Sequence, residues 1–277
     1  MNDWKVWNPQ EARNFLPVPL NSDDKYSRGV LGLVAGSDEY PGSAVLSSKA
    51  ALRTGIGMIR YFGTEKSQML VLNSCPEVVI MEGQVQAWAI GSGVDPKNLD
   101  RAREAVIETA LNQRTPVLLD AGALEFVGRF HGPTLITPHY RELARLFEST
   151  GVKVSAAEIK KDPRQWCRRA ADELKVCVLL KGTVTFIAAP DHCIELPMAT
   201  SWMATAGTGD VLAGIIGALM ATQSDKILSE ASSLVGIAAT GALLHAQAAD
   251  RASGGGPICA SDIISEISNV IRDLLAT

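Results

Sequence analysis

Residues 203–214 read Met-Ala-Thr-Ala-Gly-Thr-Gly-Asp-Val-Leu-Ala-Gly, and they carry the most informative pattern in the chain. Gly207 and Gly209 precede an apolar run. Within that run, Gly214 and Gly217 share one face of the predicted helix. The pattern predicts a helix over residues 209–222 that packs closely on a neighbour. Because the first N–H groups of a helix lack partners within it, the glycine-rich start is predicted to bind phosphoryl oxygens.

Asp210 lies in the first turn of this predicted helix, beside the position that a phosphate would take. Simple helix capping, or pairing with the helix dipole, also accounts for an Asp at such a position. A second segment favours a functional interpretation, because Val178–Thr183 has the pattern of a buried strand that ends in Lys181 and Gly182. Together the two segments predict a nucleotide site in which Asp210 is the general base for a hydroxyl attacking a phosphoryl group.

Short apolar runs alternate with helical patterns along most of the chain. Most of the runs are continuous, which is typical of strands covered on both faces of a parallel sheet. The alternation predicts an α/β fold with a mostly parallel central sheet and helices on both faces. The predicted strands are Val30–Ala35, Met58–Phe62, Val78–Met81, Trp88–Gly91, Val117–Asp120, Leu135–Thr137 and Val178–Lys181. The predicted helices are Ser43–Thr54, Lys97–Asn112, Tyr140–Ser149, Arg164–Leu174, Gly209–Thr222, Lys226–Ala252 and Ser261–Leu275.

Two segments depart from this alternation. Thr183–Ala188 and His192–Leu196 flank a turn, and they predict a small antiparallel edge on the sheet. Residues 231–249 contain no Asp, Glu, Lys or Arg, but they are rich in Ala and include polar side chains. They therefore predict a buried helix rather than a membrane span, packed on its own core or on another subunit. The whole pattern indicates one domain over residues 1–277.

The composition excludes several classes of protein. With 277 residues, 47% of them hydrophobic and 20% charged, the chain is not disordered, collagen-like or a coiled coil. A net charge of −4 without a basic stripe disfavours nucleic acid and anionic membranes as partners. The five cysteines form no C-x-x-C motif, so neither a disulfide framework nor a zinc site is expected. The N-terminus lacks an apolar signal segment, and we expect a cytoplasmic protein.

Three further loops follow predicted strands, at the edge where doubly wound sheets bind ligands. Ala35–Ala44 contains two glycines before a helix, and Gly91–Asp95 offers bare backbone at a strand end. Thr137–Glu142 places His139 at a helix N-terminus. Taken alone, each of the two glycine-containing loops is more simply explained as an ordinary turn, and His139 is equally explained as a structural histidine.

Taken together, these motifs resemble the ribokinase-like superfamily and, within it, the ADP-dependent NAD(P)H-hydrate dehydratases. The resemblance covers the chain from about Lys25 to the last helix. Gly122 stands where a second Asp is common in the family, and Ala206 stands where another Gly is usual. The motifs that carry the resemblance are residues 35–44, 137–142, 181–185 and 203–214.

The resemblance implies roles for named residues, with Asp210 as the catalytic residue at the reacting hydroxyl. It assigns no protein side chain to a metal. The residues implied to bind the hydrated nicotinamide dinucleotide are Ala44, Gly91, Gly93, His139 and Asp210. The residues implied to bind the nucleotide are Lys181, Gly182, Thr183, Val184, Thr185, Gly207, Thr208 and Gly209.

The resemblance also implies a reaction. ADP would transfer its β-phosphoryl group to the hydroxyl of the S-epimer of hydrated NAD(P)H, and phosphate would then leave to give NAD(P)H and AMP. Family members use Mg²⁺, which neutralises phosphate oxygens. The resemblance further implies a homo-oligomer, most simply a tetramer. A chain of 277 residues has no room for the epimerase domain that is often fused to this one, so we expect a separate epimerase chain.

Two alternatives remain open at this point. A ribokinase-like kinase acting on a vitamin-precursor alcohol would use the same anion hole and the same Asp210, and it would leave a stable phosphoester. A non-catalytic nucleotide sensor would bind ADP without turnover. The presence of both Lys181 and Asp210 disfavours the sensor, since a sensor has no need of a base.

Overall fold

A computed structural model describes residues 4–276 of the chain. Within these residues the strands form one nine-stranded sheet in the order β1-β9-β8-β7-β6-β5-β4-β2-β3. The strands are β1 (Lys5–Val6), β2 (Val30–Val34), β3 (Met58–Phe62), β4 (Ala87–Ile90), β5 (Val117–Leu119), β6 (Thr134–Ile136), β7 (Cys177–Leu180), β8 (Phe186–Ala189) and β9 (His192–Glu195). The helices are α1 (Pro9–Arg13), α2 (Gly42–Thr54), α3 (Glu65–Ser74), α4 (Arg101–Asn112), α5 (Tyr140–Ser149), α6 (Ala156–Lys161), α7 (Pro163–Leu174), α8 (Thr208–Thr222), α9 (Ser224–Ser229), α10 (Ser233–Ser253) and α11 (Ala260–Ala276), with 3₁₀ turns η1 (Ala121–Phe126) and η2 (Ser201–Met203).

The sheet is mostly parallel, as the continuous apolar runs predict. Strands β2 to β7 pair in parallel, and β8 is antiparallel to both of its neighbours. The predicted antiparallel edge is therefore confirmed. Its first strand begins at Phe186 rather than Thr183, because residues 183–185 belong to the loop after β7. The short strand β1, which the sequence did not indicate, pairs in parallel with β9.

Both faces of the sheet are covered by helices. Every residue of β2 is buried, and successive side chains point to opposite layers. Leu31 and Leu33 join the apolar cluster that contains residues of α2, α8, α10 and α11. Val30 and Val34 join the cluster that contains residues of α4, α5 and α7. A two-sided core of this kind explains why the strands carry continuous rather than alternating apolar runs.

The uncharged stretch near the C-terminus is buried inside the chain. It forms most of α10, whose residues from Ser233 to His245 are all buried. This helix packs against α8 and α11, so its apolar surface is covered by the protein's own core. Among residues 4–276, no helix is long and apolar enough to cross a membrane.

Two predicted elements are wrong. Val78–Met81 is not a strand, because only Val79 pairs, in an isolated bridge with Arg60. The Arg60 guanidinium binds the carbonyls of Met81 and Glu82, and these bonds draw the chain away from the ladder.

The predicted helix Lys226–Ala252 is broken between α9 and α10. Glu230 adopts an extended backbone there, and the Ser232 hydroxyl donates to its carboxylate. The helices and strands without a counterpart among the predicted elements are α1, α3, α6 and β1.

Candidate active site

The candidate site lies where the order of the parallel strands in the sheet reverses. Strand β2 has β3 on one side and β4 on the other, so their carboxyl ends form a topological switch point. The loops after β2 and β4 are tied together there. The Gly36 N–H donates to the Ser92 carbonyl at 2.7 Å, and the Ser43 hydroxyl donates to the same carbonyl at 3.3 Å. This is the edge of the sheet at which folds of this type bind their ligands.

The start of α8 faces this edge. Gly207 caps the helix in the left-handed region, with φ of 89°. A Cβ at Gly207 would lie 2.6 Å from the Leu46 Cδ1 atom, so a side chain would meet both strain and a clash. The Thr208 hydroxyl fastens the preceding turn by donating to the carbonyls of Met203 and Thr205, at 3.2 Å each. The geometry suits an anion hole built from free N–H groups, although the nucleotide role of these residues stays a prediction.

Asp210 places its carboxyl in the first turn of α8. Burial, and then the negative charge of Asp120, raise the pKa of this carboxyl from its ordinary 3.8 to about 6. A hydrogen bond with Ser92 and the charge of Lys181 act in the opposite direction and lower the pKa. A carboxylate with a pKa near the working pH is both ionised and basic enough to accept a proton. Asp210 is therefore chemically suited to be a general base.

Lys181 follows β7 and forms an ion pair with Asp120. The Lys181 Nζ lies 2.7 Å from the Asp120 Oδ1, and the Thr137 hydroxyl donates to the same oxygen at 2.8 Å. Burial alone would lower the pKa of Lys181, but the carboxylates of Asp120, Glu142 and Asp210 together raise it. The ammonium therefore stays charged.

The Lys181 ammonium also lies beside the start of α8. A Cβ added at Gly209 would be 3.7 Å from the Lys181 Nζ. A fixed positive charge is thus next to the amides that are predicted to receive a phosphate.

The loop after β7 meets the start of α5. Lys181 forms an isolated parallel bridge with His139, and the Tyr140 hydroxyl bonds the backbone of Thr183. A Cβ at Gly182 would lie 2.0 Å from the Tyr140 hydroxyl oxygen, which explains the glycine. Gly182 and Thr183 are exposed, while Val184 and Thr185 are half-buried. The structure thus brings two predicted motifs, residues 137–142 and 181–185, into contact.

His139 has a clear structural task. Its Nδ1 accepts hydrogen bonds from the backbone N–H groups of Arg141 and Glu142, at 3.1 and 3.2 Å, and so caps α5. Its side chain is 47% exposed, and its Nε2 lies 3.6 Å from the Glu142 carboxylate. The structural interpretation therefore holds, and contact with a dinucleotide stays a prediction.

The remaining predicted residues lie around the switch point. Ala44 is fully buried in the first turn of α2, so its side chain shapes the wall behind the Gly36 turn. A Cβ at Gly93, whose φ is +81°, would lie 2.6 Å from the Gly36 carbonyl carbon. A Cβ at Gly91 would lie 3.6 Å from the Asp120 Cβ. Gly93 therefore lets the loops after β2 and β4 approach closely, and the contact of both glycines with substrate stays a prediction.

A large cleft opens beside the switch point, with a volume of about 1250 Å³. It exceeds the roughly 300–1,000 Å³ of most small-molecule pockets, so a dinucleotide has room there. Neither Asp210 nor Lys181 lines it, although Ser92, Gly93 and Glu142 do. The other residues that line it are Thr64, Leu174 and residues within 37–40, 94–103, 121–127 and 145–150.

Gly122, which departs from the family pattern, lies in the wall of this cleft. A Cβ at Gly122 would lie 1.9 Å from the Val94 carbonyl oxygen. The backbone of this chain therefore has no room for the second Asp that is common in the family.

Asp120, Ser92 and Thr137 are not among the site residues predicted from the sequence. Asp120 and Thr137 each follow a buried strand directly, so their places at the carboxyl edge were the available signal. Their mutual hydrogen bond and the ion pair with Lys181 depend on strand order, which the sequence does not display.

Comparison with known proteins is consistent with this geometry. The sequence profile of the NAD(P)H-hydrate dehydratases matches residues 31–269 of the chain. The chain belongs to the NAD(P)H-hydrate dehydratase family.

The relatives of this chain include both bifunctional repair enzymes and separate dehydratases. The bifunctional NAD(P)H-hydrate repair enzyme Nnr of Mycobacterium tuberculosis is 43% identical over 74% of this chain and 44% of its own length. The ADP-dependent (S)-NAD(P)H-hydrate dehydratase of Bacillus subtilis is 32% identical over 79% of this chain and 82% of its own.

Solved structures agree with this family assignment. The ADP/ATP-dependent NAD(P)H-hydrate dehydratase of Bacillus subtilis, co-crystallised with ATP and Mg²⁺, superposes with a TM-score of 0.83. It is 27% identical, and the match covers 98% of this chain and 99% of that one. A ribokinase-like superfamily protein of Enterococcus faecalis, 20% identical, superposes with a TM-score of 0.83 over 99% of this chain and 97% of its own, so the predicted ribokinase-like fold is confirmed. The chain spans about half the length of the bifunctional relatives.

Proposed function

We propose that this protein uses ADP to dehydrate the S-epimer of hydrated NAD(P)H, with release of NAD(P)H, AMP and phosphate. The observation that carries the proposal is the carboxyl of Asp210 at the start of α8, with its pKa raised to about 6 beside the charged Lys181. The Bacillus subtilis relative is named as an ADP-dependent dehydratase of this substrate, and this supports the choice of nucleotide.

In the first step, the hydroxyl oxygen of the hydrated ring attacks the β-phosphorus of ADP. The bond from that phosphorus to the oxygen bridging to AMP breaks, and AMP leaves with its electron pair. Asp210 takes the hydroxyl proton. The N–H groups at the start of α8 and the Lys181 ammonium stabilise the charge on the moving phosphoryl group.

The second step removes the new phosphate. The carbon–oxygen bond of the ring breaks, and phosphate leaves with its electron pair. Loss of a proton from the adjacent ring carbon restores the double bond of the reduced nicotinamide. Hydroxide is a poor leaving group and phosphate a good one, so the energy of ADP serves only to convert one into the other.

Mg²⁺ fits this site as an ion carried by the nucleotide. Within residues 4–276, no group of three or more His, Cys, Asp or Glu side chains is arranged to hold a metal. Mg²⁺ at nucleotide sites takes most of its ligands from phosphate oxygens and water. When bound, it would neutralise phosphate charge, and Asp210 and Lys181 would act on the reacting groups around it.

The remaining expectations stay predictions. These are a single domain, a homotetramer, a separate epimerase chain and a cytoplasmic location. The Mycobacterium tuberculosis relative is named as a bifunctional NAD(P)H-hydrate repair enzyme, which supports a second repair activity, proposed here to be the epimerase, as a functional partner.

A spectrophotometric assay tests the proposal. The protein is mixed with hydrated NADH, ADP and Mg²⁺, and the absorbance of reduced nicotinamide is followed, with ATP replacing ADP in a parallel run. We expect recovery of the absorbance with equal release of AMP and phosphate. Asp210→Asn should reduce turnover by about 10²-fold or more while ADP still binds, because the amide cannot accept the proton.

Asp225→Asn is the matched control, since Asp225 also lies in the first turn of a helix but is exposed. It should leave turnover unchanged. No recovery with either nucleotide, in a folded protein that binds ADP, would contradict the proposal. A stable phosphoester formed from an added vitamin-precursor alcohol would favour the kinase instead.

A further inference from the structure

The carboxylate of Asp120 is a buried charge that takes no direct part in the proposed reaction. It lies just after β5 and is 4% exposed. Two donors converge on its Oδ1, the Thr137 hydroxyl at 2.8 Å and the Lys181 Nζ at 2.7 Å. A buried carboxylate held from two directions has little freedom to move. Its position is therefore set by β5, β6 and β7 together.

The charges near Asp120 form a connected set. Lys181 is acted on by Asp120, by Glu142 of α5 and by Asp210 of α8. Asp210 in turn is acted on by Asp120 and Lys181. On α10, His245 faces the same lysine, and the positive charge of Lys181 disfavours protonation of its imidazole. A change of charge at Asp120 must therefore reach both Lys181 and Asp210.

We propose that Asp120 is a positioning residue, which holds the Lys181 ammonium beside the start of α8 and offsets the positive charge that the Asp210 carboxylate meets there. The proposal rests on the proposed function, because it assigns Asp120 an action through the base and the phosphate-binding lysine of that reaction. Without the negative charge of Asp120, the positive charge of Lys181 would act on Asp210 uncompensated. An uncompensated cation stabilises the ionised form of a carboxyl and makes it a poorer proton acceptor.

Asp120→Asn is the discriminating variant. Asparagine has nearly the shape of aspartate, and its carbonyl oxygen can still accept from Thr137 and Lys181, so the negative charge is removed while one oxygen becomes an NH2 donor. The measurement is a ¹³C NMR titration of the Asp210 carboxyl carbon in the resting protein, with the signal assigned by its loss in Asp210→Asn. We expect a midpoint near 6 in the natural protein. The midpoint should be lower by about one pH unit in Asp120→Asn.

Thr137→Val is the matched control. It removes one hydrogen bond to Asp120 without changing any charge, so the Asp210 midpoint should stay in place. The acid limb of kcat/KM should move with the NMR midpoint in Asp120→Asn and stay fixed in Thr137→Val. A merely structural role of Asp120 would lower activity in both variants without moving either midpoint.

The outcomes separate this proposal from the proposed function. A shifted NMR midpoint without turnover in any variant would support the electrostatic role and contradict the reaction. An unchanged midpoint in folded Asp120→Asn would overturn the role of Asp120 whether or not the enzyme turns over. If Asp120→Asn does not fold, Asp120→Ser replaces it, and the same shift is required of that variant.

Discussion

The Ser47 hydroxyl of α2 donates a 3.0 Å hydrogen bond to the backbone carbonyl of Asp210, across the interface between α2 and α8. One turn further along α8, a Cβ at Gly214 would lie 2.3 Å from the Ser47 carbonyl oxygen. The two helices can approach this closely only because Gly214 has no side chain. The first turn of α8, with Asp210, is thus held in register by α2.

Gly214→Ala tests how strongly this contact matters. The added methyl must push α2 and α8 apart, because its neighbours are the Ser47 carbonyl and the Ala50 Cβ at 2.9 Å. We expect a loss of about 1–3 kcal/mol in the free energy of unfolding, despite the better helix propensity of Ala. Chemical denaturation measures it. Gly42→Ala is the control, since nothing lies within 4 Å of its Cβ position, and equal stability of the two variants would contradict the close-packing interpretation.

The raised pKa of Asp210 predicts the pH dependence of turnover. Burial, and then the charge of Asp120, raise this pKa to about 6, and only the ionised carboxylate accepts a proton. The active fraction is therefore nearly complete above pH 7 and falls tenfold for each pH unit well below the pKa. The profile of kcat/KM against pH, with saturating ADP, should show an acid limb with its midpoint near 6. A midpoint near the ordinary value of 3.8 would contradict the raised pKa of Asp210.

Much of the fold and part of the candidate site follow from local patterns. The continuous apolar runs indicate a sheet covered on both faces, and the glycine-rich start of α8 lies within one residue of its predicted position. Both features are local, because neighbouring residues determine them. The break between α9 and α10 was not predicted, since the apolar pattern continues across it while Glu230 and Ser232 form a local hydrogen bond.

The ion pair between Lys181 and Asp120 shows what local patterns do not contain. The two residues are 61 positions apart in sequence, yet their side chains meet at 2.7 Å. They meet because β5 and β7 flank β6, and strand order is a property of the folded sheet. The position of His245 is likewise a property of the folded chain, because the packing of α10 brings its imidazole to the backbone of Thr208 at the start of α8.

Lys181→Met should weaken the binding of ADP. The substitution removes the positive charge beside the start of α8 and leaves the Asp120 carboxylate buried without its partner. A charged hydrogen bond is worth about 1.5–3 kcal/mol, so we expect an increase of about 10-fold to 100-fold in the Kd for ADP, measured by calorimetry. Lys160→Met is the control, because Lys160 is exposed on α6 and should leave the Kd unchanged. An unaltered Kd in folded Lys181→Met would remove Lys181 from the nucleotide site.

Because the imidazole of His245 is buried, we expect the protein to lose stability in mild acid. Burial, and then the charge of Lys181, lower the pKa of this imidazole from 6.5 to about 4, against the backbone hydrogen bond of Thr208. The unfolded chain therefore takes up a proton before the folded one does. The contribution of the neutral imidazole is complete above pH 6.5 and is lost progressively as the pH falls toward 4.

The loss should amount to about 2 kcal/mol at pH 5 relative to neutral pH. Urea denaturation of the natural protein and of His245→Leu, at pH 7 and at pH 5, isolates it from the titration of other groups. Leu cannot titrate, so the variant should lose less stability than the natural protein over this range, whatever its stability at pH 7. His192→Leu is the control, because His192 is exposed on β9 and its replacement should not change the pH dependence. Parallel losses in the natural protein and His245→Leu would show that His245 does not titrate as a buried neutral group.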